Sequence, residues 1–324
     1  MRKEDLPQLE ALCGNIQSSG NGFSYAGKNY TPHNEQDTPL SLLTRTLYTE
    51  CYVVNTLQAA EPAVISSADV IQQFIEQLRA VNHSQETSDP GWTLNAMLSD
   101  TTARVSKFGV TRTMKTDPGF SAAAGAGLTF RSRREDTTSQ PGFYYLHSNA
   151  LFEYTAPMAR VYWNTVPEGA LLLVESLSTV LNAYRLPFLF KCLSDPGGYR
   201  RRDSCVLYIG IRYLAQVLPL LESIHKDLGP LLKNDTPLFT QAWQRGTGIC
   251  ESPPDGNSFG ISRMQIVAQG LLNAFAAGDG SATYLRSIEN AFRTAGLDPE
   301  MPFLEAGSKA SLHIKTSIAY ERQR

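Results

Sequence analysis

Between residues 40 and 57, Leu40, Leu42, Leu43, Leu47, Tyr48 and Val54 recur at three- and four-residue spacing. That is the stripe of a helix burying one face. A second stripe, Ile65, Val70, Ile71, Phe74, Ile75 and Leu78, predicts a helix over 64–81 with Ser66 or Ser67 as its N-cap. Residues 5–17 predict a short helix, and longer ones are expected over 169–184, 211–228 and 282–295. A further helix opens at Ser258 or Ser262 and runs through Leu272. Shorter apolar and aromatic runs at 92–97, 103–113, 127–133, 143–147, 159–163, 187–193 and 205–209 predict strands, and 23–30 a small hairpin turning at Ala26-Gly27-Lys28. Residues 238–247 are mixed, and 252–257 form a loop. The stretch 82–91 looks like a linker, and Arg131 to Arg134 followed by Glu135 and Asp136 a solvated loop. The pattern predicts an α+β fold, a mixed and largely antiparallel sheet with packed helices. It divides into an N-terminal helical and hairpin region, 1–90, and an α+β domain, 91–324.

Composition narrows the classes. Charged residues make up 19% and apolar ones 42% of the 324, which is globular rather than disordered. A net charge of −2 gives no bulk attraction to nucleic acid or anionic membrane, so any basic site is local. The cysteines (Cys13, Cys51, Cys192, Cys205, Cys250) are odd in number and lack CxxC spacing. Neither a disulfide framework nor a zinc site is expected, and reduced cytosol is the natural compartment. The first residues carry no apolar signal core, and the longest apolar runs fall short of a membrane span, so a soluble, cytoplasmic protein is expected. No dinucleotide, P-loop, kinase, hydrolase-elbow or zinc-protease motif occurs, and the five histidines (His33, His83, His147, His225, His313) are dispersed. No metal and no organic cofactor is expected.

Candidate chemistry gathers after residue 140. Lys191 closes the run Leu186-Pro187-Phe188-Leu189-Phe190, and Arg200-Arg201-Arg202 follows within a dozen residues, ahead of the next strand. Alternation puts Lys191 with Leu189 on one face and Phe188, Phe190 and Cys192 on the other. In the same way Arg160, Tyr162 and Asn164 share a face, with Val161 and Trp163 opposite. His147 ends an aromatic strand, and Arg263 opens a helix, where its guanidinium and free N–H groups could meet one anion.

The ordered set Arg160-Val161-Tyr162-Trp163-Asn164, Pro187 to Lys191, Arg202-Asp203-Ser204-Cys205-Val206-Leu207-Tyr208, Phe239-Thr240, Gly246 to Glu251 and Ser258 to Arg263 resembles the HopA-type family. That family was first described as plant-pathogen type III effectors. Its members also occur in bacterial gene clusters for class V lanthipeptides and thioamitides. The resemblance runs over residues 142–297. It implies a phosphothreonine-lyase-like core and a lyase that eliminates phosphate from phosphoserine or phosphothreonine of a precursor peptide, leaving dehydroalanine or dehydrobutyrine. The phosphate would be installed by a separate aminoglycoside-phosphotransferase-like kinase, working as a complex with the lyase. Residues 1–90 are the expected place for peptide or kinase docking.

Carried over by position, the resemblance makes Lys191 the base and Tyr162 the general acid. Arg160, Arg202, Arg263 and Tyr208 become substrate and phosphate contacts, and Asn164 shares their face. More distant lyases have histidine at the acid position. Tyrosine, near pKa ~10, suits neutral pH less well. Three answers stay open: neighbouring arginines tune Tyr162, His147 substitutes, or a clamped phosphate needs little protonation. The rival reading is a non-catalytic effector or scaffold that binds a host protein or the precursor peptide.

Overall fold

The computed structural model describes residues 1–308 except 21, 33–36, 58–63, 117–118, 155 and 279. His33 and His313 lie outside the described residues. Helix α1 (Leu6–Gly14) leads into a three-stranded ribbon, β1 (Ile16–Ser19), β2 (Gly22–Tyr25) and β3 (Lys28–Tyr30). Helix α2 (Pro39–Leu47) follows, continuing as a π-helical turn at Tyr48–Val53, and then α3 (Ala68–Ala80). A four-stranded sheet holds β4 (Thr87–Ser99), β5 (Thr102–Lys107), β6 (Val110–Lys115) and β7 (Gly127–Ser132) in the order β6-β5-β4-β7.

The third sheet is the largest. It contains β8 (Glu135–Asp136), β9 (Phe143–His147), β10 (Met158–Trp163), then β11 (Phe188–Leu193) and β12 (Cys205–Gly210), which lie between α4 (Pro167–Ala183) and α5 (Ile211–Leu228) in the chain. Strands β13 (Gln241–Gln244) and β14 (Thr247–Glu251) complete it, in the order β13-β14-β10-β12-β11-β9-β8. Helices α6 (Phe259–Ala276) and α7 (Ser281–Thr294) follow. Every strand pair of this sheet is antiparallel, so the α+β expectation holds.

Alternation decides which face is which. Val161, Leu207 and Phe190 are paired across neighbouring strands, as are Ile209 and Phe188, and all are fully buried. This apolar face packs under α4 and α5. The helices begin where the chain supplies caps. Thr38 accepts from the Ser41 N–H, Ser67 from Val70 and Ser258 from Ile261. Pro167 opens α4 at a position that needs no N–H donor.

Residues 1–90 contribute to the same core as the C-terminal half. Leu9, Leu12, Leu42, Leu43 and Leu47 belong to one apolar cluster with Ile288 and Phe292, and α1 packs on α7 while α2 packs on α6. The position between residues 90 and 91 lies inside β4. The four-stranded sheet has its own small core of Trp92, Leu94, Ala103, Val105 and Met114.

Four local expectations are corrected. The linker at 82–91 is in part strand, because the turn-like Pro90-Gly91 pair is absorbed as a register shift in β4. The single strand at 103–113 is two, turning at Phe108-Gly109, both in the left-handed region. The helix expected over 5–17 ends at Gly14, and Ile16–Ser19 form β1, which pairs with β2. The solvated loop after Arg131 is half-buried. Arg134 donates to the Arg79 and Asn82 carbonyls, and Glu135 accepts from Arg79 and from the Tyr144 hydroxyl.

Helices α6 and α7 cross closely at Gly270, where a Cβ would stand 2.6 Å from the Ile288 Cα. Backbone cannot swing aside as a flexible side chain can. Gly270→Val is expected to lower stability by about 1–3 kcal/mol, read from urea unfolding midpoints at unchanged slope.

Candidate functional site

The large sheet places its polar residues by register. Directly opposed residues on antiparallel strands send their side chains to the same face. Cys250, Arg160, Tyr208, Leu189 and His147 therefore form one row across β14, β10, β12, β11 and β9. Two residues along, Gly248, Tyr162, Val206, Lys191 and Tyr145 form the next row. Both rows lie opposite the face packed on α4 and α5.

The π-helical turn and α6 cover the β10 side of this face. Tyr52 lies beside Tyr162 and Cys250 and packs on Phe259. The β11 and β9 side opens into a cleft of about 1150 Å³. Arg160, Tyr208, Leu189, Lys191, Tyr145 and His147 lie on it. Lys115 at the end of β6, Asp136, Glu251 and residues Glu305 to Ser308 line it too.

Lys191 is half-buried. Its Nζ donates to Gln140 Oε1 at 3.1 Å and stands 4.3 Å from the centre of the Phe143 ring. Arg160 is 5% exposed; its Nε donates to Ser252 Oγ (3.0 Å) and Nη2 to the Asn257 carbonyl (2.7 Å). Its guanidinium lies 5.2 Å from the Tyr208 ring centre. A guanidinium carries five N–H donors, and these two bonds use two of them. By strand spacing, the Lys191 and Arg160 Cα atoms are roughly 12 Å apart, a span that two long side chains can close on one phosphorylated residue.

His147 lines the cleft, and its Nε2 is buried without a partner among the described residues. Burial pushes its pKa below the ordinary histidine value, and Arg133 adds to this against the opposing pull of Asp136. Burial thus favours the neutral imidazole.

The other sequence candidates are not brought to the cleft. Tyr162 is 3% exposed beneath Tyr52, and burial pushes its hydroxyl well above the usual tyrosine range, although Arg160 acts to lower it. Asn164 donates to the Asp235 carbonyl beyond the end of β10. Arg202 reaches back to Gln8 Oε1 and the Cys51 carbonyl, tying β12 to the N-terminal region. Arg263 is fully buried and bonds the Pro302 carbonyl (2.7 Å), the Leu304 carbonyl (2.9 Å) and Glu305 (2.8 Å). The Glu305 backbone N–H and Ser308 hydroxyl are in turn held by Glu251. Arg263 thus anchors the segment that walls one side of the cleft.

Sequence reasoning passed over Gln140, Tyr145 and Asp136. Tyr145 was visible only as part of an aromatic strand. Gln140 and Asp136 lie in or beside the stretch read as solvated.

Fold and site together define an antiparallel α+β protein with a cleft on the half-open face of its main sheet, lined by Lys115, Arg160 and Lys191 and by the carboxylates of Asp136, Glu251 and Glu305. The sequence profile of the HopA1 effector protein family matches residues 135–304, a little over half of the chain, and the protein belongs to that family. Two solved structures align with it. The effector protein from Pseudomonas syringae pv. tomato strain DC3000 is 15% identical, at a TM-score of 0.48, over 84% of this chain and 92% of its own. The effector protein from Pseudomonas syringae pv. syringae strain 61 is 16% identical, at 0.49, over 84% and 91%. No curated protein matches the chain. Among the described residues no helix is long and apolar enough to cross a membrane.

Two predictions follow from the geometry. Removing the fork in Arg263→Leu leaves a half-buried carboxylate and two carbonyls without their donor. The expected loss is about 1–3 kcal/mol of stability, measured by thermal or denaturant unfolding. In an NMR titration, His147 is expected to show a midpoint below the ordinary histidine value. Inorganic phosphate in the cleft should move that midpoint up, because a nearby dianion favours the imidazolium.

Proposed function

We propose that the protein is a phosphoserine/phosphothreonine lyase, acting by β-elimination on a phosphorylated precursor peptide to leave dehydroalanine or dehydrobutyrine. The observation that carries this reading is the shared cleft: the Lys191 amine and the Arg160 guanidinium project from one face of one sheet, with His147 in the Arg160 row. Elimination needs a base at Cα and positive charge at the departing phosphate, and these groups supply both. Neutral Lys191 takes the Cα proton, the released electron pair forms the Cα=Cβ bond, and the Cβ–O bond breaks with its electrons leaving on phosphate. Arg160 compensates the charge on the phosphate as it departs. The Tyr208 ring, 5.2 Å from that guanidinium, supports it by a cation–π contact.

On this reading the partners are the precursor peptide and a separate aminoglycoside-phosphotransferase-like kinase, with the N-terminal region as their docking place and the cytoplasm as the compartment. The second reading, a non-catalytic effector that binds a host protein or a peptide, is favoured by the name of the family. One incubation separates the two. Purified protein is mixed with a synthetic phosphothreonine peptide, alone and with the kinase, and the peptide mass is followed. Loss of phosphoric acid supports the lyase; an intact but tightly bound phosphopeptide supports the binding protein. Lys191→Ala is expected to abolish elimination while phosphopeptide binding stays within about threefold of wild type, since the variant removes a base rather than the phosphate contact.

A further inference from the structure

Gln140 holds the amine of Lys191 by a contact that no family motif points to. Asp136, at the end of β8, accepts from the Thr138 N–H (2.6 Å), the Thr138 hydroxyl (2.8 Å), the Ser139 N–H (3.1 Å) and the Ser139 hydroxyl. The loop that follows is thereby folded back on one carboxylate. Its other end is tied where the Phe143 N–H donates to the Gln140 carbonyl at 3.2 Å. Between these ties the Gln140 side chain turns toward the floor of the cleft. There its Oε1 accepts from the Tyr145 hydroxyl at 2.6 Å and from Lys191 Nζ at 3.1 Å. Lys191 and Tyr145 are directly opposed across β11 and β9, so one amide oxygen bridges two neighbouring strands.

The chemical identity of the acceptor matters. A carboxylate in this place would hold the lysine as ammonium and oppose its use as a base. An amide oxygen fixes the amine through a dipole and adds no net charge. The carboxylate close by, Asp136, is spent on its own loop: burial pushes its pKa up, but the Ser139 and Thr138 hydrogen bonds outweigh this and hold it well below the usual carboxylate range. No ion pair to Lys191 occurs among the described residues. We infer that Gln140 is a positioning residue for Lys191, an uncharged holder that aims the amine into the cleft while leaving it free to lose its proton. The catalytic part of this inference rests on the lyase reading; the positioning part does not.

The test reads Lys191 directly. Wild type, Gln140→Glu, Gln140→Leu and Tyr145→Phe are labelled with trace amine-reactive anhydride across a pH series. Labelling at Lys191 is quantified by mass spectrometry against exposed Lys226 on α5. Gln140→Glu is expected to move the Lys191 midpoint to higher pH by about one unit or more, as an adjacent carboxylate does. Gln140→Leu, which removes an acceptor of the ammonium, moves it to lower pH, and Tyr145→Phe, which keeps the Gln140 amide, moves it less than either Gln140 variant. Coincident Lys191 midpoints in wild type and Gln140→Glu, both folded by circular dichroism, would overturn the inference. In a parallel arm, the rising limb of the phosphothreonine elimination profile shifts with the labelling midpoint in Gln140→Glu. Absence of elimination by wild type would sink the lyase reading alone, because the labelling curves still decide whether Gln140 governs Lys191.

Discussion

The polar face of the main sheet is covered over only half its width, and the rest of the site depends on that boundary. On the β10 side, Tyr52 and Phe259 press down on Tyr162 and Cys250, and no water reaches them. On the β11 and β9 side the cover ends, and the same face becomes the floor of a cleft. A cation buried without partners costs several kcal/mol, so each charged residue on this face is placed by how it meets that cost. Arg160, at the boundary, does so with Ser252 and the Asn257 carbonyl. Lys191, beyond it, keeps partial contact with solvent and leans its stem and amine on Phe143.

The same boundary separates arginines that look alike in the sequence. A guanidinium fork suits phosphate, but it suits a cluster of backbone carbonyls equally well. Arg263 takes two carbonyls and a carboxylate of the C-terminal segment, and Arg202 takes a carbonyl of the π-helical turn and Gln8. Both therefore shape the cleft from behind its walls. Their part in any chemistry is to place Glu305 to Ser308 on one side and the N-terminal cover on the other. Loss of either would be felt first as lost rigidity.

Much of the fold was legible because its periodicities are strong. The strand alternation at Phe188-Leu189-Phe190-Lys191-Cys192 put Lys191 on the correct face, and Ser67 and Ser258 are caps where a cap was expected. Turns with uncommon chemistry were missed. Phe108 sits in the left-handed region at a hairpin tip where Asn or Gly is the usual signal, and Pro90-Gly91 reads as a break although β4 runs through it. The site was legible only where it lies on strands. Register brings Arg160, Tyr208 and His147 into one row, and alternation along each strand already says which face each takes. Gln140 comes from a loop whose shape depends on four hydrogen bonds to Asp136, and no periodicity reports that.

Register also bears on which group could protonate a leaving phosphate. Tyr162 shares a face with Arg160 but is one step further under the cover, and it cannot meet a ligand in the cleft unless Tyr52 moves. Its burial also makes the phenol a weaker acid. His147 lies in the Arg160 row, three strands away on the open side, with an unsatisfied buried nitrogen. Burial favours its neutral form, which is the wrong form for an acid. A phosphate dianion held by Arg160 changes that balance, because a negative charge in a poorly solvated cleft stabilises the imidazolium. On the lyase reading, substrate binding itself would then load the proton that the leaving group takes, and no acid need be charged beforehand. Lys191 faces the opposite requirement, an amine without its proton, and its neutral amide holder suits that need. On the lyase reading, two groups of one cleft with opposite protonation demands would thus be served by two different devices, a ligand-borne charge for the histidine and an uncharged acceptor for the lysine.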